Sequence, residues 1–317
     1  MGILDGMGQE ISSYEEGFSF FVRWWNRLAR RVRWIVKGTM GGRRRLLVEI
    51  CWRLGDEVMA LPVYEALKKQ YPDIILGVQC HYPDLLLDNP FVDEINPKDM
   101  EPDRYIFLRH ADRTLYRPEA YARAAGVPLP LSRPQLYYAD WSCRFVQELL
   151  IGTDPHKPWV AVSTGASWKI KEWRIEYWQR LCALLRAQGF HVVQLGTSEP
   201  VLDGVVDLVG KTSVREAACV LHHVHLYVGC DSGLMHLARA VGTPTVALFG
   251  PTDPDILIRN DPGFFPIRAM CDCFGCWNRG LSKQPGECIR NQPSCLDTIL
   301  PEQVAEQVFR ILSESKG

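Results

Sequence analysis

The sequence predicts an α/β protein built from two Rossmann-like domains whose parallel sheets face a cleft. Three observations carry that expectation. Short apolar runs alternate with helical stretches along most of the chain, the pattern of parallel strands joined by crossover helices. The runs fall into two series, separated by a proline-bearing stretch (126–158, with GVPLPLSRP and DPHKP) that suits a linker. At 317 residues the chain is also long enough for two cores.

In the first series LLVEICW (46–52), IILGVQC (74–80) and RYIFL (104–108) read as strands, and DEVMALPVYEALKKQ (56–70) as a helix kinked by Pro62. In the second, WVAVST (159–164), HVVQLG (191–196), LYVGC (226–230) and TVALFG (245–250) read as strands. Helices near 175–188, 213–222 and 233–241 separate them, and PEQVAEQVFRIL (301–312) closes the chain as an amphipathic helix. The expected organisation is an arm over 1–45, a first domain over 46–150 and a second over 151–317. In sheets of this kind ligands gather at the carboxyl ends of the strands.

Hydrophobic residues at 47% and charged residues at 23% exclude a disordered chain. No apolar run reaches membrane-spanning length and no apolar leader opens the chain, so the expectation is a cytoplasmic protein. The net charge of −1 hides an asymmetry. Nine Lys/Arg and no acid lie between Gly17 and Val48, leaving 27 basic against 37 acidic residues elsewhere, a body near −10. Nucleic acid would want cations across the folded body, so it is not an expected partner. The arm, FSFFVRWWNRLARRVRWIVKG, puts Phe21, Trp25, Leu28, Val32 and Ile35 at helical spacing. Arg23, Arg27, Arg30 and Lys37 lie mostly on the other face. That pattern suits an inner-membrane surface on the cytoplasmic side. It equally suits packing on its own domain or on a second protomer.

The stretch LYVGCDSGLMHLARAVGTPTVALFGPTDP (226–254) carries the chemistry most clearly. A strand ends at Cys230, Asp231 and Ser232 stand where a helix cap belongs, Gly233 opens the helix and Gly242 follows it. Free N–H groups and the positive end of the dipole can hold a diphosphate there without a metal. Gly233 allows close approach, and His236 lies on the same face to add a donor.

The pattern D-S-G-x-x-H-x-A-x-A-x-G-x-P, continued by L-F-G-x-T-D-P, resembles the signature of family 9 glycosyltransferases, which include the ADP-heptose:lipopolysaccharide heptosyltransferases. RLGDEVMALPVYEALKKQYP (53–72) resembles the family's R-x-G-D motif and helix. The resemblance implies that Asp56 is the general base, taking the proton from an acceptor hydroxyl as it attacks an anomeric carbon. A helix cap is the other role open to Asp56, and neighbouring Glu57 points elsewhere. STGASWKIKEWRIEYWQRL (163–181) resembles the family's loop with a lysine before a tryptophan. Lys171 would then neutralise charge on the leaving nucleoside diphosphate, with Lys169 as its rival. Thr164 and Ser167, on the same loop, can donate to phosphate oxygens. Thr212 in GKTSVREAACVLHHVHL (210–226) is implied near the nucleobase or ribose, and Glu199 is a weaker candidate for the ribose hydroxyls.

The resemblance thus implies the two-domain GT-B fold and an inverting, metal-independent transferase. Its implied donor is a nucleotide sugar, ADP-heptose, and its acceptor a lipid-linked glycan or a protein hydroxyl. A nucleotide-sugar epimerase or hydrolase is the rival enzyme, and a non-catalytic nucleotide-sugar-binding protein the rival from another class. Residues 81–140 and the arm depart from the family pattern, which leaves the acceptor open.

Eleven cysteines in so long a chain do not suggest a disulfide framework. Cys273 and Cys276, followed by Cys288 and Cys295, have the spacing of a structural zinc or iron site. A loop of reduced thiols is the equal alternative.

Overall fold

The computed structural model describes residues 28–39, 42–109, 112–129, 133–151, 153–259, 261–290 and 295–314. The arm residues Phe21, Arg23, Trp25 and Arg27 lie outside them.

The apolar runs become two parallel sheets. The first contains β1 (Arg45–Ile50), β2 (Ile75–Cys80), β3 (Glu94–Ile95) and β4 (Arg104–Phe107), in the order β3-β2-β1-β4. The second contains β5 (Trp159–Ser163), β6 (His191–Gln194), β7 (Val206–Asp207), β8 (Leu226–Cys230), β9 (Thr245–Phe249) and β10 (Phe264–Arg268). Its order is β10-β9-β8-β5-β6-β7. Strands β5, β8 and β9 are buried at every position, as strands covered by helices on both faces must be.

Each sheet has a point where the chain changes direction, and loops leaving the two central strands there splay apart to form a crevice. In the first sheet β1 is flanked by β2 and β4. In the second, β5 is flanked by β6 and β8. The residues following β1, β5 and β8 are those the sequence singles out: Asp56, Lys171 and Asp231.

A helix over residues 28–39, α1, precedes β1. It is followed by α2 (Leu54–Gln70), α3 (Arg117–Ala125), α4 (Arg144–Leu150), α5 (Ile175–Ala187), α6 (Val214–His223), α7 (Gly233–Val241), α8 (Pro254–Leu257) and α9 (Pro301–Glu314). Three local expectations change. Helix α2 starts two residues earlier and runs without a break through Pro62. Its cap is Arg53, so Asp56 is an interior residue of the first turn and not the cap. Strand β10, FFPIR, was masked in the sequence by Pro266; at a sheet edge the missing N–H costs no ladder bond. Among the described residues no helix is long and apolar enough to cross a membrane.

The first sheet's core continues into the second half of the chain. Val48, Val58 and Tyr64 belong to one buried cluster with Met235, Ala238 and Phe249. Helices α2 and α7 form this seam, and glycines let their first turns meet. A Cβ on Gly55 would stand 2.9 Å from His236 Cδ2, and one on Gly233 would stand 3.0 Å from Leu54 Cβ. Helix α7 ends at Gly242, whose φ of 89° is the left-handed cap expected there.

On α7 the Arg239 guanidinium donates from Nε to Asp261 at 2.8 Å, both side chains being almost wholly buried. Removing one member leaves the other charge in a dry interior, which costs about 3–5 kcal/mol. Arg239→Ala is therefore expected to lower the free energy of unfolding by that amount, read as a lower denaturant midpoint with an unchanged m-value. A loss below about 1 kcal/mol in equilibrium urea unfolding would show the pair to be dispensable.

Candidate active site

Between the two halves lies a cleft of about 600 Å³, within the range of small-molecule sites. Its first wall comes from the turn after β1 and the start of α2, and includes Trp52, Arg53 and Asp56. The opposite wall comes from the loops after β5 and β8, and includes Ser167, Lys171, Ser232, Gly233 and His236. Of the residues expected there, Asp56, Ser167, Lys171, Asp231, Ser232, Gly233, His236 and Glu199 line this one space.

Asp56 is held from α3, whose first and second turns present Arg117 and Tyr121 one helical turn apart. The Tyr121 hydroxyl donates to Asp56 Oδ1 at 3.2 Å, and Arg117 Nε stands 3.7 Å from the same oxygen. Burial, with the charge of Asp56 beside it, pushes the Tyr121 phenol well above its ordinary range and keeps it a donor. Glu57 is excluded from chemistry by its contacts. Its carboxylate is 3% exposed and accepts from the backbone N–H groups of His81 and Tyr82. It ties α2 to the segment after β2.

Lys171 and Lys169 part clearly. Lys169 is exposed and pairs with Glu172 at 2.6 Å. Lys171 is nearly buried and donates to Asp231 Oδ2 at 2.6 Å, with its ammonium 4.2 Å above the Trp168 ring. Asp231 is the hub of this wall. Thr252 donates its hydroxyl to the same oxygen at 2.8 Å, and His236 Nε2 lies 3.7 Å from Oδ1. Burial alone would push the Asp231 carboxyl up; Lys171 and His236 outweigh it and hold the group far below the usual carboxylate range. Burial lowers His236, which stays neutral, and its Nδ1 has no partner among the described residues. Ser232 caps α7, accepting from Met235 N at 3.4 Å. The carboxylate expected to face a ligand thus faces a lysine and a threonine instead.

Two expected residues stand behind the wall. Thr164 is buried at the end of β5 and takes a long contact of 3.5 Å from the Gln194 amide. Thr212, half-buried, precedes the capping box that Ser213 and Glu216 make at the start of α6. Neither lines the cleft. Glu199 does, with its carboxylate accepting from the N–H groups of Thr197 and Ser198. No pattern in the sequence marks Arg117, Tyr121 or Thr252 as site residues. The last sits inside the T-D-P of the quoted motif; the first two come from a helix without apolar periodicity.

The cysteine-rich segment lies beside this wall. Cys273, Cys276, Cys288 and Cys295, joined by Cys271, line a separate cavity of about 260 Å³. All eleven cysteines are free thiols. Cys273 and Cys271 sulfurs are 3.7 Å apart, but among the described residues no three His, Cys, Asp or Glu side chains gather closely enough to hold a metal. The four expected ligands share a cavity and not a ligand sphere.

Because Lys171 and Asp231 are buried together, each single removal strands a charge. Lys171→Met and Asp231→Asn should each destabilise the fold by about 3 kcal/mol, and the double variant by less than the sum. The low folded pKa of Asp231 also fixes a pH signature. Its stabilising contribution is fully present above about pH 4, the unfolded carboxylate's range, and is lost as pH falls below it. Acid unfolding should therefore be steeper for the unsubstituted protein than for Asp231→Asn. Parallel acid titrations of the two by circular dichroism would refute this coupling.

Comparison with known proteins agrees with this geometry. The family model described as glycosyltransferase family 9 (heptosyltransferase) matches residues 118–258. Lipopolysaccharide heptosyltransferase 1 of Pseudomonas aeruginosa is 27% identical over 211 residues, covering 61% of this chain and 57% of that protein. The chain thus spans under two thirds of the length of that relative. The crystal structure of the ADP-heptose lipopolysaccharide heptosyltransferase II of Escherichia coli superposes with a TM-score of 0.68 at 20% identity, over 86% of this chain and all of that one. The iron-containing dodecameric glycosyltransferase TibC from enterotoxigenic E. coli superposes with a TM-score of 0.70 at 17% identity, over 86% and 77%. The fold is therefore GT-B. Over residues 118–258 the chain is similar to glycosyltransferase family 9, and residues of that resemblance lie on the facing walls of its cleft.

Proposed function

We propose that the protein is an inverting glycosyltransferase that moves a heptose from a nucleotide diphosphate, ADP-heptose, to a hydroxyl of a lipopolysaccharide-core glycan or a protein. The observation that carries this reading is the opposition of Asp56 to Lys171 and the α7 N-terminus across one cleft. The relatives act as its second support: heptosyltransferases of lipopolysaccharide, and TibC, an autotransporter heptosyltransferase. A cytoplasmic location follows from the nucleotide-linked donor.

The step is a single displacement. The acceptor oxygen bonds to the anomeric carbon while Asp56 takes its proton, and the carbon–oxygen bond to the diphosphate breaks with its electron pair leaving on phosphate. One base and no second carboxylate acting as a nucleophile means inversion at that carbon. The leaving charge meets N–H groups of the first turn of α7 and the Lys171 ammonium, an arrangement that needs no catalytic metal. Asp231 contributes indirectly. Two anions repel, so a carboxylate facing Lys171 and Thr252 positions them rather than touching phosphate. Ser167, Ser232 and Gly233 are the remaining donor contacts in this reading, with Glu199 toward the ribose; Thr164 and Thr212 support from behind.

Asp56→Asn should lower the transfer rate by about 10²–10⁴-fold, the usual worth of a general base. Donor affinity by calorimetry should stay within twofold, because the substitution lies on the acceptor side. Turnover comparable to the unsubstituted protein would refute the assignment. Donor consumption without an acceptor would instead support the hydrolase or epimerase reading.

We also propose a structural metal at this cavity, whose thiols would have to draw together around the ion because as placed they form no ligand sphere. Five soft sulfur donors on one small cavity suit iron or zinc, and TibC is iron-containing. Cys273, Cys276, Cys288 and Cys295 would hold the ion and pin the loop that carries Trp277 into the cleft wall. Elemental analysis of protein purified under reducing conditions should find about one ion per chain, released by Cys276→Ser. Less than a tenth of that, with all eleven thiols titratable in the folded protein, would leave plain reduced cysteines.

A further inference from the structure

Helix α1 is fixed to the first domain by one narrow face. The Trp34 ring packs edge-on against Tyr71 with centroids 5.4 Å apart, and the Arg44 guanidinium covers it at 4.8 Å. Lys37 donates to Asp103 at 2.8 Å, the carboxylate being 1% exposed, and Arg33 stands 4.0 Å from its other oxygen. Burial would raise the Asp103 carboxyl; Lys37 leads the contacts that reverse it and hold it low. These contacts anchor the helix at the amino-terminal edge of the first sheet, beside the start of β1.

At 3.6 residues per turn, Leu28, Val32, Ile35 and Val36 fall within an arc of about 100° opposite Trp34 and Lys37. They are 39%, 51%, 56% and 44% exposed. Arg31 lies at one margin of this arc and Arg33 at the other, with Arg30 nearer the docked face. Packing on its own domain, one of the two readings open from sequence, therefore accounts for one face and leaves the apolar one bare.

We propose that this face docks on an anionic lipid surface, with α1 lying in the plane of the membrane interface. Two arguments select lipid over a second copy of the chain. Four half-exposed aliphatic side chains offer roughly 300 Å² of apolar surface, short of the about 800 Å² per partner of a stable protein interface. A bilayer needs no shape complement, and every cation at the margin adds its own attraction to anionic headgroups. The charge agrees: nine Lys/Arg and no acid lie between Gly17 and Val48. In the sequence the apolar spacing also continues upstream through Trp25 and Phe21. Such docking would hold whatever the cleft transfers, so it can fail without touching the catalytic reading, and the reverse.

The test uses the full chain with vesicles of phosphatidylcholine and phosphatidylglycerol (2:1), against phosphatidylcholine alone. Co-sedimentation should need phosphatidylglycerol and weaken at least tenfold in 0.5 M salt. Val32→Asp with Ile35→Asp should lower partitioning at least tenfold without moving the thermal midpoint, since both side chains are exposed. Arg31→Glu should weaken it while leaving the apolar face intact. Binding unchanged by all three substitutions, or absent from the unsubstituted protein, would overturn the proposal. So would a light-scattering mass that falls to the monomer's with Val32→Asp and Ile35→Asp, which would make the face a contact between copies.

Discussion

Everything at the cleft depends on how closely the first turns of α2 and α7 approach. A side chain at position 55 or 233 would collide with the other helix, so glycine at both sets the spacing between the two sheets' loops. That spacing puts Asp56 across one cavity from Asp231 and His236. The seam below is apolar and continuous with the first sheet's core. Around its rim the ties are polar. Arg113 lies 3.7 Å above the Trp277 ring and donates to the Ser282 carbonyl, while Arg259 reaches Glu119. An opening motion would pivot on the seam and release the rim, because rim ion pairs are individually weak in water.

The wall formed by the loops after β5 and β8 is a case of preorganisation by burial. A carboxylate beneath the cleft surface is costly unless charges and hydrogen bonds compensate it. Asp231 receives both from Lys171 and Thr252. The result is an ammonium whose position is fixed before any ligand arrives, with an aromatic ring beneath it. Fixed charges of this kind need not reorganise when negative charge develops nearby. The contrast with Lys169 is instructive. Two residues away and chemically identical, it is itself exposed, pairs with Glu172 and does not line the cleft.

Local chemistry was legible in the sequence, and tertiary chemistry was not. Strand β8 and helix α7 were read to the residue because cap, periodicity and terminal glycine all lie within the segment itself. The second sheet's strands came close for the same reason: fully buried strands read as unbroken apolar runs. Helix α3 was missed because RPEAYARAA has few apolar positions, and its two contributions to Asp56 lie 61 and 65 residues away in sequence. Thr164 and Ser167 looked equivalent on one loop. Thr164, directly after β5, is buried against Gln194, whereas Ser167, three residues further along the loop, reaches the cleft. Cys271, two residues before Cys273, was left out of the ligand set because the C-x2-C spacing selects Cys273 and Cys276; it lines the same cavity.

The two walls are made from different materials, and this explains why one was easier to read. The wall after β5 and β8 is built around one helix start: a helix terminus, its cap, a glycine and a buried ion pair, features that short motifs specify almost completely. The wall that carries Asp56 is built from longer side chains drawn from separated segments. Trp52 comes from the turn after β1, Tyr82 from the segment after β2 and Arg117 from α3. Tyr82 reaches its place because Glu57 grips the backbone at His81 and Tyr82. A buried carboxylate in α2 thereby sets this wall beside Asp56, the carboxylate that lines the cleft. Neighbouring acids on one helix turn have divided their work, Glu57 shaping the cavity and Asp56 facing into it, and the direction of the side chains alone decides which does which.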